Sequence, residues 1–122
     1  MPKIAIFENE FELLKDTFDL ANLVYYNGDL EFNVFQTSQE FGDIDKIDEY
    51  DKILLDIDLA PTSEKDGFGI LKEISSYSNI EKVIIITGDS NIETKLDSKG
   101  LSKPPILKKP IDVSDLVQYL QL

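Results

Sequence analysis

The chain has 122 residues, enough for one hydrophobic core and too few for two. It contains no cysteine and no histidine, which excludes a disulfide framework, thiolate catalysis, imidazole proton transfer and any His-based metal site. Asp and Glu outnumber Lys and Arg 24 to 12, and the resulting formal charge of −12 repels nucleic acid, leaving carboxylates, hydroxyls, lysines and backbone to do any chemistry.

In chain order, Lys3 to Phe7 is a short β-rich run and the first predicted strand. From Phe11 to Tyr26, the residues Leu13, Leu14, Phe18, Ala21 and Tyr25 recur at helical spacing, and Asn27-Gly28 closes the segment. Phe32 to Phe35 reads as a second strand, and Ser38 is placed to cap a short helix through about Ile47. Ile53-Leu54-Leu55 is a third strand, continuously apolar as a strand buried on both faces should be. Gly67 to Tyr77 reads as a helix with Phe68, Leu71, Ile74 and Tyr77 inward, followed by the β-branched run Val83 to Ile86. The polar stretch Ser90 to Lys103 offers only Ile92 and Leu96 as an i, i+4 pair, so its helix is short and weakly anchored. Pro105 to Leu107 is a fifth strand, and Val113, Leu116, Val117 and Leu120 stripe a last helix begun by Asp112 or Ser114. Five β/α repeats predict one α/β domain over residues 1–122, with a flavodoxin-like doubly wound (βα)5 architecture and a parallel sheet of order 2-1-3-4-5. No apolar run approaches the ~20 residues of a membrane span, and the N-terminus lacks the apolar core of a signal peptide. The expectation is a cytoplasmic protein without membrane contact.

Ligands of open parallel sheets bind beyond the carboxyl ends of the strands. The first strand is followed by Glu8-Asn9-Glu10, the third by Asp56-Ile57-Asp58, the fourth by Thr87-Gly88-Asp89 and the fifth by Lys108-Lys109-Pro110. Each has an ordinary reading alone: Asp56 as a helix cap, Thr87 as a β-former, Lys109 as a solvated charge, Glu8 and Glu10 as loop residues. Together they supply what Mg²⁺-assisted phosphoryl transfer to a carboxylate requires. Carboxylates hold a hard cation through oxygen, and a metal and an ammonium neutralise charge on the transferring group.

Over essentially its whole length the sequence resembles the receiver domain of two-component response regulators. The carrying segments are Tyr50-Asp51-Lys52-Ile53-Leu54-Leu55-Asp56-Ile57, Asp66-Gly67-Phe68, Val83-Ile84-Ile85-Ile86-Thr87-Gly88 and Leu107-Lys108-Lys109-Pro110. The resemblance implies that Asp56 accepts the phosphoryl group, that Thr87 contacts it in the active state and that Lys109 pairs with its oxygens, Pro110 following a cis bond. Gly88 would leave room for a backbone amide to reach the phosphate. Mg²⁺, weakly bound, would be held by Glu8, Asn9, Asp56 and the backbone carbonyl of Asp58, with Glu10 as an accessory. The implied partners are a histidine kinase or phosphotransfer protein and a separate downstream protein, the domain acting alone and being no enzyme beyond limited self-catalysed phosphorylation and dephosphorylation. A homodimer through the face of the fourth helix, fifth strand and last helix would use Ile92, Leu96 and Ile106.

The chain departs from the family's pattern at three places. Asn9 stands where the second of two acids is usual, leaving the cation site one charge short. The loop between Asp56 and Asp66 is about three residues longer, at Ala60 to Lys65. Ile106 occupies the switch position, where an aromatic ring is common.

Two other functions compete. A degenerate receiver would be a phosphorylation-independent interaction module, favoured by Asn9 and Ile106 and opposed by Asp56, Thr87 and Lys109 standing together. A phosphohydrolase of the haloacid-dehalogenase type would use Asp56-Ile57-Asp58 with Thr62, Thr87 and Lys109, making Asp58 an acid/base. That family's aspartate pair sits on its first strand, whereas half of this chain precedes Asp56. A flavin site is a poor fit, because Glu8-Asn9-Glu10 is acidic where a cofactor phosphate needs hydroxyls and amides.

Overall fold

The computed structural model describes residues 2–59, 61–77 and 80–121; Ala60, at the head of the lengthened loop, lies outside them. The strands are Lys3–Phe7 (β1), Glu31–Phe35 (β2), Lys52–Asp56 (β3), Val83–Thr87 (β4) and Ile106–Lys108 (β5). The helices are Lys15–Tyr26 (α1), Ser38–Phe41 (α2), Gly67–Tyr77 (α3), Ile92–Ser98 (α4) and Val113–Leu120 (α5). All strand pairs are parallel, in the order β2-β1-β3-β4-β5. This is the doubly wound arrangement expected from the alternation of runs.

The period-two rule explains why β1, β3 and β4 are apolar throughout. Ala5, Phe7, Ile53, Leu55, Val83 and Ile85 point into one core with Phe41, Ile47, Ile70, Leu71, Ile74, Ile92 and Leu96. Ile4, Ile6, Leu54, Ile84 and Ile86 point the other way, against Phe18 and Ala21 of α1 and Leu116 and Leu120 of α5. The helices α1 and α5 therefore cover one face of the sheet, and α2, α3 and α4 the other. With both faces covered, the strand ends are the natural place for polar residues.

Several local expectations give way to tertiary context. The segment from Phe11 splits into a 3₁₀ turn, Phe11–Leu13, and then α1. The break rotates the helix, so Leu13 (77 % exposed) and Tyr25 (54 %) leave the buried stripe, and Tyr26 packs inward instead. Ser38 is not the cap of α2; the preceding Thr37 is, its hydroxyl accepting from the Glu40 amide at 3.3 Å. That helix stops at Gly42, whose φ of +83° an L side chain rarely adopts, and a 3₁₀ segment, Ile44–Glu49, replaces the expected continuation to Ile47. Lys82, at the entry to the neighbouring strand β4, secures that segment by donating to the carbonyls of Ile47 (2.6 Å) and Tyr50 (3.1 Å). Tyr77 is exposed, not inward, and its hydroxyl donates to Asp48 at 3.1 Å. Asp112 rather than Ser114 caps α5, accepting from the Asp115 amide at 2.8 Å. Ile92 and Leu96 are fully buried, so α4 is short as expected but pinned, and these two residues form no surface patch.

The lengthened loop is held against α2. Ser63 accepts from the Ser38 amide (2.8 Å), Gln39 donates to the Thr62 carbonyl (2.7 Å) and accepts from the Glu64 amide (2.9 Å), and Ser38 accepts from the Lys65 amide (3.0 Å).

Candidate functional site

The register of the sheet decides which strand ends meet. Phe7 lies beside Leu55, Asp56 beside Ile86 and Thr87 beside Lys108, so the residues that follow β1, β3, β4 and β5 open onto one edge. Glu8, Asp56 and Thr87 are buried there, at 0 %, 3 % and 1 % exposure. Burying carboxylates costs several kcal/mol each unless a counter-charge is supplied, roughly as for other ions taken from water. Lys109 supplies it. Its ammonium lies 2.7 Å from Glu8 Oε2 and donates to Asp56 Oδ2 at 3.1 Å. The Glu8 contact is an ion pair without good hydrogen-bond directionality, since Glu8 Oε2 has no hydrogen-bond partner. Backbone amides take the remaining oxygens: Glu10 N–H donates to Glu8 Oε1 and Asp58 N–H to Asp56 Oδ1, both at 3.0 Å. Lys109 itself is fixed by its own amide, which donates to the Thr87 carbonyl at 2.8 Å, and Lys109-Pro110 is cis, as expected.

Two carboxylates facing one ammonium leave the cluster a charge in excess. Burial, reinforced by the neighbouring Glu8, pushes the Asp56 carboxyl up to about 7, against the opposing pull of the Asp58 amide and Lys109. Burial works against the Lys109 charge, but Glu8 and Asp56 outweigh it and raise its pKa.

Gly67 is what allows α3 to start against this turn. A Cβ there would lie 2.4 Å from Ile57 Cα and 2.5 Å from the Asp56 carbonyl oxygen, while the Gly67 amide donates to the Ile57 carbonyl at 3.1 Å. Gly88 has no such constraint: the nearest atom to a Cβ placed there is Lys109 Cβ at 4.0 Å. The backbone beside Thr87 is open at that point.

Glu8, Asp56, Thr87 and Lys109 are thus gathered, and the side chains of four other expected residues make no hydrogen bond to them. Glu10 is exposed and touches the cluster only through its amide. Asp58 is likewise exposed, meeting Asp56 through backbone, so the acid/base role required by a dehalogenase-type hydrolase finds no support. Ile106 is half-buried against the core on the α2–α4 face. Asn9 is half-buried, with its Oδ1 enclosed and without a partner.

That orphaned oxygen, next in sequence to Glu8, is what a hard cation would satisfy, and it fits the set of two carboxylates and a carbonyl. Among the described residues no three acids converge, so the donor set is poorer in charge than an all-carboxylate site.

A layer outside the cluster escapes sequence reasoning. Thr87 Oγ1 accepts from the Asp89 amide at 3.0 Å, and the Asp89 carboxylate accepts from the Asn91 amide at 2.8 Å and from Lys95 Nζ. The Lys95 hydrogen bond holds the Asp89 carboxyl below its usual range and in turn raises the Lys95 pKa. Asp89 and Lys95 are six positions apart, a spacing that carries no signal by itself.

No model of a known protein family and no curated protein matches the sequence. Solved structures do match in shape. A CheY-like response regulator receiver domain protein from Methanospirillum hungatei superposes with a TM-score of 0.72 at 20% identity, over 99% of this chain and 91% of that one. The receiver domain of NtrX from Brucella abortus gives 0.68 at 22%, over 97% and 98%. The chemotaxis protein CheY4 of Vibrio cholerae gives 0.70 at 16%, over 99% and 97%. The chain has the receiver-domain fold. At these identities the likeness extends to architecture, and the residues of the receiver-like site must argue for themselves.

Proposed function

We propose that residues 1–122 form a cytoplasmic response-regulator receiver that accepts a phosphoryl group on Asp56 from a histidine kinase or phosphotransfer protein. The observation that carries this reading is the buried Asp56 with an ammonium 3.1 Å away and a hydroxyl residue buried at the end of the adjacent strand. An Asp56 carboxylate oxygen attacks phosphorus, the P–N bond to the donor imidazole breaks, and the imidazole leaves with the electron pair. Lys109 pairs with oxygens of the transferred group, and Thr87, whose oxygen already accepts from Asp89, retains its own proton to donate. Glu8, Asp56, Asn9 Oδ1 and the Asp58 carbonyl would hold Mg²⁺, which when bound neutralises charge on the phosphoryl oxygens. Residues outside the site follow the same reading. The exposed apolar side chains Leu13, Leu20, Leu23 and Val24 lie on α1 and the 3₁₀ turn before it, the element that follows Glu8 in the chain, and offer a protein donor a docking face.

Asn9 favours a second reading, an interaction module that no longer takes phosphate. Beryllofluoride with Mg²⁺ decides between them. In the phosphoacceptor reading it shifts the NMR amide signals of Asp56, Thr87 and Lys109 in the native protein and not in Asp56→Asn. Native signals that stay put under beryllofluoride and acetyl phosphate would leave only the interaction module.

A further inference from the structure

We propose that the groove between α3 and α4 binds a small organic anion, a carboxylate or phosphate carried on an apolar body, with Lys72 and Lys99 as its counter-charges. The groove has a volume of about 350 Å³ and is lined by Asp66, Phe68, Gly69, Lys72, Lys99 and Leu101. That is the small end of the roughly 300–1,000 Å³ typical of ligand pockets. The groove shares no residue with the Glu8–Asp56–Lys109 cluster, so the proposal does not rest on the phosphoacceptor reading.

Lys72 and Lys99 are exposed, and neither is ion-paired among the described residues. The acids nearest them in sequence are already committed: Glu73 pairs with Lys65 at 2.6 Å and Asp97 with Lys103 at 2.9 Å. The one carboxylate lining the groove, Asp66, is engaged at the start of α3, where it accepts from the Gly69 amide at 2.8 Å. The Lys99 ammonium lies 4.9 Å from the centroid of the Phe68 ring, a cation–π contact that holds the charge without neutralising it. Two uncompensated ammoniums lining one groove repel each other, and an anion beside them turns that repulsion into attraction. Phe68 and Leu101, half-buried and packed against the core, give the same groove an apolar floor, which favours an anion with an apolar body. The charge of the chain sets the ligand's size. An acidic protein segment would bring many negative charges into the field of a protein of net charge −12, whereas a small anion brings one or two.

The test is an amide NMR titration of the native protein with naphthoate, repeated with its uncharged amide and with the double variant Lys72→Met, Lys99→Met. Naphthoate should shift the amides of Phe68, Gly69, Lys72, Lys99 and Leu101 saturably and leave those of Asp56, Thr87 and Lys109 in place. The uncharged amide should bind at least about fivefold more weakly to the native protein, and naphthoate at least about fivefold more weakly to the double variant, as expected for two exposed charge pairs. Both lysines are exposed, so their substitution leaves the core untouched, and the comparison of acid with amide needs no substitution at all. The absence of saturable shifts at the groove amides, or equal affinity for acid and amide, would overturn the proposal. Undiminished binding of naphthoate by the double variant would do the same. Shifts centred on Asp56 and Lys109 would put the anion at the acceptor cluster and refute the groove as its site.

Discussion

The close approach of Gly67 to the Asp56–Ile57 peptide makes a single added methyl a sharp probe of the site. In Gly67→Ala the new Cβ starts 2.4 Å from Ile57 Cα, 2.5 Å from the Asp56 oxygen and 3.0 Å from the Ile57 oxygen, so one element must retreat by roughly 1 Å to reach ordinary contact. Both partners are backbone in regular or tightly turned structure, and no flexible side chain can yield. Overpacking of this kind costs about 1–3 kcal/mol, and stretching the Gly67–Ile57 hydrogen bond adds up to about 1 kcal/mol. Against that, alanine gains at most about 1 kcal/mol of helix propensity, and less in a first turn. The expected loss is about 2 kcal/mol, read as a lower urea midpoint at unchanged slope or a Tm lower by roughly 8 °C. Gly88→Ala is the control, since its Cβ meets Lys109 Cβ at an unstrained 4.0 Å and should change stability by less than about 0.5 kcal/mol. A Gly67→Ala protein within about 0.5 kcal/mol of native would refute the close-approach argument. Because the clash falls on the Asp56–Ile57 peptide, the phosphoacceptor reading expects the variant also to weaken the beryllofluoride response.

Other consequences follow from the same geometry. Asp56 titrates near 7 in the folded protein against an ordinary 3.8, so the folded state holds the proton more tightly and Asp56 favours folding only while protonated. Metal-free stability should therefore fall as pH rises from about 4 through about 7, and Asp56→Asn should flatten that slope and exceed native stability at pH 8. Parallel pH profiles of the two proteins in urea unfolding would contradict the buried-charge account. Lys82→Met should cost about 1–3 kcal/mol by stranding the Tyr50 carbonyl and leaving the Ile47 carbonyl only the Tyr50 amide as donor, with hydrogen exchange of residues 44–49 rising first.

The order of apolar runs made the alternation of strand and helix legible, and the residues just past each run made the site legible. Both follow from one fact: a strand covered on two faces can place polar groups only at its ends. What escaped depends on where neighbours stop. The helical stripe through Leu13 and Tyr25 is real in sequence, yet the 3₁₀ turn before Lys15 changes its phase, and α5 covers only part of α1. Thr37 outcompetes Ser38 as a cap because the chain is extended at Thr37. Gly42 ends α2 through a backbone angle that composition does not announce. Lys95 looked like one more charge in a polar stretch, because only the folded β4–α4 loop brings it to Asp89.

The charge of the chain is divided as unevenly as its site. Residues 1–64 hold sixteen acids and four lysines, whereas residues 65–122 hold eight of each, so the whole net charge belongs to the part that supplies Glu8, Asn9 and Asp56. The sheet order sets Lys109, from the neutral part, against those carboxylates. A cation approaching Asp56 therefore feels two attractions of different range. One is local and weakened by Asn9; a restored ligand charge is worth on the order of a few kcal/mol, about tenfold or more in affinity. The other is the diffuse field of the acidic half, which salt screens over about 10 Å at 0.1 M. Calorimetric or NMR titration with Mg²⁺ separates them. Native affinity should fall steeply between low salt and about 0.3 M, while the gain in Asn9→Asp should persist, since direct ligands sit within the screening length. Equal binding by native protein and Asn9→Asp would show that position 9 is not a ligand. A gain that vanished with salt would move Asn9 from the coordination sphere to the general field.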